Sequence, residues 1–150
     1  MAISGWRLTA AWSVTTAIKT LLVVEQSDQM RRLIRMILGA RVEQVVECSE
    51  GGEALAAFAT FKPDWVLMDI NARGVDAMSI TRQINELFPD AYITILVDYD
   101  EPDMSEAAHR AGASGYLLKD DLSSLPALLD ELLSRRDARQ RQRGQAPFPT

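Results

Sequence analysis

The chain reads as an α/β domain built on a doubly wound, five-stranded parallel sheet. Short, largely apolar runs recur at 21–24, 65–68 and 92–97, as strands buried on both faces require. Between them lie stretches whose apolar residues return every third or fourth position, the spacing of a helix with one face on a core. Strand and helix alternate five times along the chain.

The first strand is Leu21-Leu22-Val23-Val24. Ser27 or Asp28 caps the helix that follows, in which Met30, Leu33, Ile34, Ile37 and Leu38 form the core face while Arg31, Arg32 and Arg35 face water. Gly39 ends it. Residues 42–48 form a second strand and 53–61 a second helix, broken by Pro63. Trp65-Val66-Leu67-Met68 is a third buried strand, ending on Asp69. Ala77, Ile80, Ile84, Leu87 and Phe88 mark a third helix, stopped by Pro89. Residues 92–97 give a fourth strand, and Met104, Ala107, Ala108 and Ala111 a short fourth helix that ends at Gly112. The fifth strand is 115–118, and Leu122, Leu125, Leu128, Leu129, Leu132 and Leu133 line the fifth helix.

With 150 residues, 47% apolar and 25% charged, the chain suits one domain with a proper core and is short for two. No run approaches the ~20 apolar residues that span a bilayer, so an integral membrane protein is not expected. One cysteine, Cys48, leaves no internal disulfide, and one histidine, His109, leaves no His-cluster metal site. Both read as ordinary packing or surface residues. The net charge of −5 hides an asymmetry: residues 135–150 hold five arginines and one aspartate, or +4, so residues 1–134 carry −9. Nucleic-acid binding through so acidic a body is not expected. Residues 1–18, with Trp6 and Trp12, form an extension without a secretory-signal pattern and without a legible role. The domain proper covers 19–134, and 135–150 is a basic tail that extends the last helix or stays flexible.

In an open parallel sheet, ligands bind beyond the carboxyl ends of the strands. Those ends carry Glu25-Gln26, Asp69, Val97-Asp98 and Lys119. Carboxylates and an amine converging there suit Mg²⁺ and a phosphoryl group.

The run 21–25, the segment Pro63-Asp64-Trp65-Val66-Leu67-Met68-Asp69-Ile70-Asn71 and the segment Ala111-Gly112-Ala113-Ser114-Gly115-Tyr116-Leu117-Leu118-Lys119-Asp120 resemble a receiver domain of bacterial response regulators. The resemblance spans roughly 19–134 and implies the flavodoxin-like (βα)5 receiver fold, with phosphate taken from a histidine kinase. It implies Asp69 as phosphoacceptor and Lys119 as the partner of the phosphoryl group. Glu25, Asp69 and the main-chain carbonyl of Asn71 would hold Mg²⁺. Tyr116 would be the aromatic that changes orientation on activation.

The sequence departs from the family pattern at the site itself. Gln26 replaces the second acid of the usual pair, which lowers the pocket to two carboxylates and makes Gln26 a doubtful ligand and Mg²⁺ binding weak. Val97 stands where a Thr or Ser hydroxyl would bind the phosphoryl oxygen, and it has no donor. Asp98, at a usually small position, would repel a phosphodonor, and Ala72-Arg73 replaces a familiar Met-Pro. The expectation is an atypical single-domain receiver, cytoplasmic and not an enzyme, in phosphorelay signalling. It would act by protein contact, with phosphorylation at Asp69 weakened or lost. With only 16 residues after 134, no output domain is expected. The alternative is a conventional receiver switched by phosphate on Asp69. Expected partners are a histidine kinase, a downstream effector or a second copy, paired through the face of the fourth helix, fifth strand and fifth helix. On that face acids at 98–106 would meet Lys119, Arg110 and the basic tail across a two-fold axis.

Overall fold

A computed structural model describes residues 17–74 and 76–144. Trp6, Trp12 and the end of the basic tail, 145–150, lie outside the described residues, with the readings attached to them. Five strand–helix units follow in order: β1 (Ile18–Val24), α1 (Asp28–Leu38), β2 (Val42–Cys48), α2 (Ala54–Phe61), β3 (Trp65–Asp69), α3 (Ala77–Leu87), β4 (Ile93–Val97), α4 (Pro102–Arg110), β5 (Gly115–Leu118) and α5 (Leu125–Gly144). The strands are all parallel, in the order β2-β1-β3-β4-β5.

Period-two alternation divides the core between the two sheet faces. Leu22, Val24, Val66, Met68, Ile93, Ile95 and Val97 meet α2, α3 and α4 through residues such as Phe58, Ile84 and Ala108. Leu21, Val23, Trp65, Leu67, Leu96 and Leu117 meet α1 and α5 through Ile34, Leu125, Leu129 and Leu132. The one polar side chain buried within β4, Thr94, accepts a hydrogen bond from the Trp65 indole at 3.0 Å, which removes the penalty of a lone buried hydroxyl.

The caps of α1 and the glycine after α4 are as the sequence implies. The Ser27 hydroxyl accepts from the Met30 N–H, and Gly39, at φ 54°, closes α1 by donating to the Arg35 carbonyl. Gly112 takes φ +96° after α4, and an added Cβ would lie 2.5 Å from the Asn85 side chain, so both backbone and space demand glycine there.

Three expectations need correction. Leu33 and Leu87, assigned to core faces, are exposed, because each lies at the margin of its helical stripe. Arg31, assigned to water, keeps only 13% of its side-chain exposure, since Asp28, Glu47 and the Glu25 carbonyl draw it inward. Leu122 belongs to a 3-10 turn, Lys119–Ser124, and α5 begins at Leu125. Beyond the last buried leucine, Leu133, α5 continues helically through 135–144, so the basic stretch is an extension of the last helix that far.

Candidate functional site

The order of the strands places the change of winding direction between β1 and β3, and the site residues gather beyond their carboxyl ends. Glu25 follows β1 directly. Its N–H donates to the Cys48 carbonyl at 3.0 Å, which ties its backbone to β2. The Ser27 N–H donates to Glu25 Oε2 at 3.1 Å, and the Arg31 guanidinium donates to the Glu25 main-chain oxygen. Asp69 is the last residue of β3, only 1% exposed, and its Oδ1 accepts the Asn71 N–H at 3.0 Å. This turn fixes the carboxylate over the sheet end.

Lys119, immediately after β5, reaches across to them. Its Nζ lies 2.9 Å from Asp69 Oδ1, 3.4 Å from Glu25 Oε1 and 3.6 Å from Asp98 Oδ1. Asp98, one residue past β4, also accepts from Asn71 Nδ2 at 2.5 Å. The loops after β3 and β4 are therefore bridged beside Asp69. One ammonium serves three carboxylates, two of them buried.

Burial pushes the Glu25 carboxyl above the usual range, and the Asp69 charge adds to this; the Ser27 N–H and Lys119 oppose it. Burial by itself would lower the Lys119 ammonium, but its hydrogen bond to Asp69 and the charges of Asp69, Glu25 and Asp98 outweigh it and hold the pKa above 10.5. Glu25 Oε1 accepts no hydrogen bond and has only the ionic contact with Lys119. A buried oxygen of that kind beside a second carboxylate fits a hard cation, which takes oxygen ligands.

The structure thus brings together Glu25, Asp69, Asn71 and Lys119. Val97 is 1% exposed at the end of β4 and packs in the apolar core, with no hydrogen-bonding group to offer. Gln26 is exposed next to Glu25. Tyr116 is half-buried, and its hydroxyl donates to Asp100 Oδ1 at 2.6 Å, a bond that pushes the phenol above its ordinary value. Besides the two carboxylates expected, a third, Asp98, lies beside Lys119. Asp98 enters the ion cluster because β4 lies next to β3 and ends beside Asn71. Arg31 and Asp100 were not assigned site roles from sequence. Their signals, an arginine six residues after Glu25 and an acid two residues beyond Asp98, are too generic to single out.

The charged groups expected to pair two copies are partly engaged within the chain. Lys119 belongs to the site, and Arg110 pairs with Glu106 on the same helix at 2.8 Å.

Residues 21–130 match the family described as the response regulator receiver domain. Over 101 residues the chain is 34% identical to the chemotaxis protein CheY of Halobacterium salinarum, covering 67% of this chain and 84% of that protein. It is 28% identical to the DNA-binding transcriptional regulator NtrC of Salmonella typhimurium, covering 81% of this chain but 26% of the relative. Against the transcriptional regulator DegU of Brevibacillus brevis it likewise spans only 43% of the relative's length. Among solved structures, a LuxR-family two-component response regulator from an Aurantimonas species superposes with a TM-score of 0.70 at 27% identity, over 79% of this chain and 86% of that one. A receiver from Clostridium thermocellum, at 22% identity and TM-score 0.71, shares the fold over 81% of this chain and 98% of its own.

Proposed function

We propose that this chain, which belongs to the response regulator receiver domain family, is an atypical receiver in phosphorelay signalling that acts through protein–protein contacts, with phosphorylation at Asp69 weakened or lost. The observation that carries this reading is the end of β4. A buried Val97 offers no donor to a phosphoryl oxygen, and the next carboxylate, Asp98, lies 3.6 Å from the lysine that such a group would need. The scaffold keeps the remaining parts. Asp69 Oδ1 is held by the Asn71 N–H and Lys119, which leaves the other oxygen to accept phosphate. Lys119 neutralises charge as it develops there.

Glu25, Asp69 and the Asn71 carbonyl are the groups that would hold Mg²⁺, a cation that supplies further charge neutralisation for phosphoryl transfer. Gln26 contributes an amide dipole where a carboxylate would contribute a charge. Gln26→Asp should therefore tighten Mg²⁺ binding by about ten-fold. Calorimetric titration checks this, and equal affinities for the two proteins would contradict the pocket described.

The output we assign is contact, not a reaction on another molecule. The face of α4, β5 and α5 is the surface offered to an effector, a histidine kinase or a second copy. Among the described residues no helix is long and apolar enough to cross a membrane, and we place the protein in the cytoplasm. The second reading is a conventional receiver phosphorylated on Asp69 by a histidine kinase, and the intact 2.9 Å Asp69–Lys119 pair favours it. Incubation with Mg²⁺ and acetyl phosphate, followed by intact-mass measurement, separates the two. Slow or absent gain of a phosphoryl group fits the atypical receiver, and rapid stoichiometric gain fits the conventional one.

A further inference from the structure

The amino end of the sheet, opposite the Asp69 site, carries a groove of about 640 Å³. Its floor comes from the segments that lead into β3, β4 and β5, including Asp64, Tyr92 and Ala113. One wall is the overhanging end of α5, where Arg135, Arg136, Arg139 and Arg143 all face the groove, the spacing of a single helical face. The volume lies in the range of small-ligand sites, about 300–1,000 Å³.

Two of the arginines, Arg135 and Arg136, are oriented by the body, and the charge of the four exceeds that of the acids beside them. Asp64 is anchored to the body, since its Oδ2 accepts the N–H groups of Lys19 and Thr20, each at 3.0 Å; its Oδ1 orients Arg136 at 3.2 Å. Arg135 lies 5.8 Å over the Tyr92 ring and pairs with Glu131 at 2.8 Å on its own helix. Arg139 meets Asp90 at 3.0 Å, but both side chains are more than half exposed, so the pair is weak and exchangeable. Arg143 has no partner among the described residues, and His109 lines the groove as well. Four guanidinium groups against Asp64, Asp90 and Glu131 leave an excess of one positive charge, on a chain whose net charge is −5. The carboxyl end of α5 opposes an anion with only about half a charge.

We infer that this groove is a binding site for a small polyphosphate-bearing ligand. Guanidinium forks match phosphate oxygens in pairs, and the two oriented ones, Arg135 and Arg136, lose little entropy on binding. The acidic remainder of the body disfavours an extended polyanion such as nucleic acid, which would run beyond the groove onto negative surface. The inference stands apart from the phosphorylation reading, since it uses none of the residues around Asp69.

The test is calorimetric titration of the whole chain, without Mg²⁺, with tripolyphosphate, with ATP and with a short oligoglutamate. Tripolyphosphate and ATP should each bind once per chain, and binding should weaken as salt rises toward about 0.5 M. Arg139→Gln with Arg143→Gln should lower affinity about ten-fold or more. Arg32→Gln with Arg82→Gln, on exposed positions elsewhere, should leave it unchanged. Thermal melts establish that the variants fold, and Arg139→Lys, which keeps charge but loses the fork, should bind at an intermediate level. Tighter binding of ATP than of tripolyphosphate assigns the site to a nucleotide, and equal binding to the phosphate chain alone. The inference is overturned if neither probe binds, if the groove variant binds like the native chain, or if oligoglutamate binds more tightly than tripolyphosphate.

Discussion

Lys119→Met should cost about 3 kcal/mol of folding stability at neutral pH, and acidification should return part of it. The substitution leaves Glu25 and Asp69, 2% and 1% exposed, facing each other with no cation between them. Removing one partner of a buried ion cluster costs about 3–5 kcal/mol, and the low end applies because 16% of the Lys119 side chain reaches water. Glu25 already sits above its ordinary 4.5, mainly through burial, and without Lys119 it rises further. A carboxyl raised in the folded state holds its proton there at a pH where the unfolded chain has released it. The stability this provides is full below 4.5 and is lost as pH rises through the folded pKa. The variant should therefore gain stability as pH falls from 7 toward about 5. In the native chain the Lys119 contribution is full below 10.5 and is lost as pH rises through its raised pKa. Urea denaturation at several pH values checks both trends. A Lys119→Met midpoint equal to the native one would mean that the cluster contributes no net stability.

Asp98→Ala should speed phosphoryl uptake from acetyl phosphate by about ten-fold. Two like charges about 5 Å apart interact by about 3 kcal/mol at an effective dielectric of 20. Part of this is offset here, because Asp98 is 42% exposed and shares Lys119. What remains after that discount corresponds to about one decade in rate. The substitution also breaks the Asn71–Asp98 bridge beside Asp69. Asp98→Asn removes the charge and keeps the volume, and it should give most of the same increase. Uptake is read by intact mass, with Asp69→Ala as the control. Equal rates in native, Asp98→Ala and Asp98→Asn proteins would remove Asp98 from the account.

The strands were legible because buried parallel strands announce themselves as apolar runs with polar ends. Asp69 and Lys119 fall on those ends, so their convergence follows from the fold class. Helix margins were less legible. Leu33 and Leu87 satisfy the helical period, but which edge of a stripe meets the sheet depends on how the helix is rolled on it. The part of Asp98 in the ion cluster was hidden for a different reason. From sequence it is an acid in the forbidding place for an incoming anion. Only the adjacency of β3 and β4 shows that the same place offers it Lys119 and Asn71 as partners. Arg31 was misassigned to water because its partners, Glu25 and Glu47, belong to the ends of two neighbouring strands.

The central claim is that Val97 and Asp98 uncouple Asp69 from the conformation of Tyr116. A charge-assisted hydrogen bond of the kind Val97 cannot make is worth about 1.5–3 kcal/mol, enough to decide a two-state equilibrium. The direct measurement is the Tyr116 ring resonances, recorded with Mg²⁺ and with or without beryllofluoride. It is made in the native chain, in the Val97→Thr/Asp98→Ala double variant, and in each with Asp69→Ala. The account predicts unchanged Tyr116 resonances in the native chain, and a shift in the double variant that Asp69→Ala abolishes. A large shift in the native chain that depends on Asp69 would contradict it and establish a conventional switch.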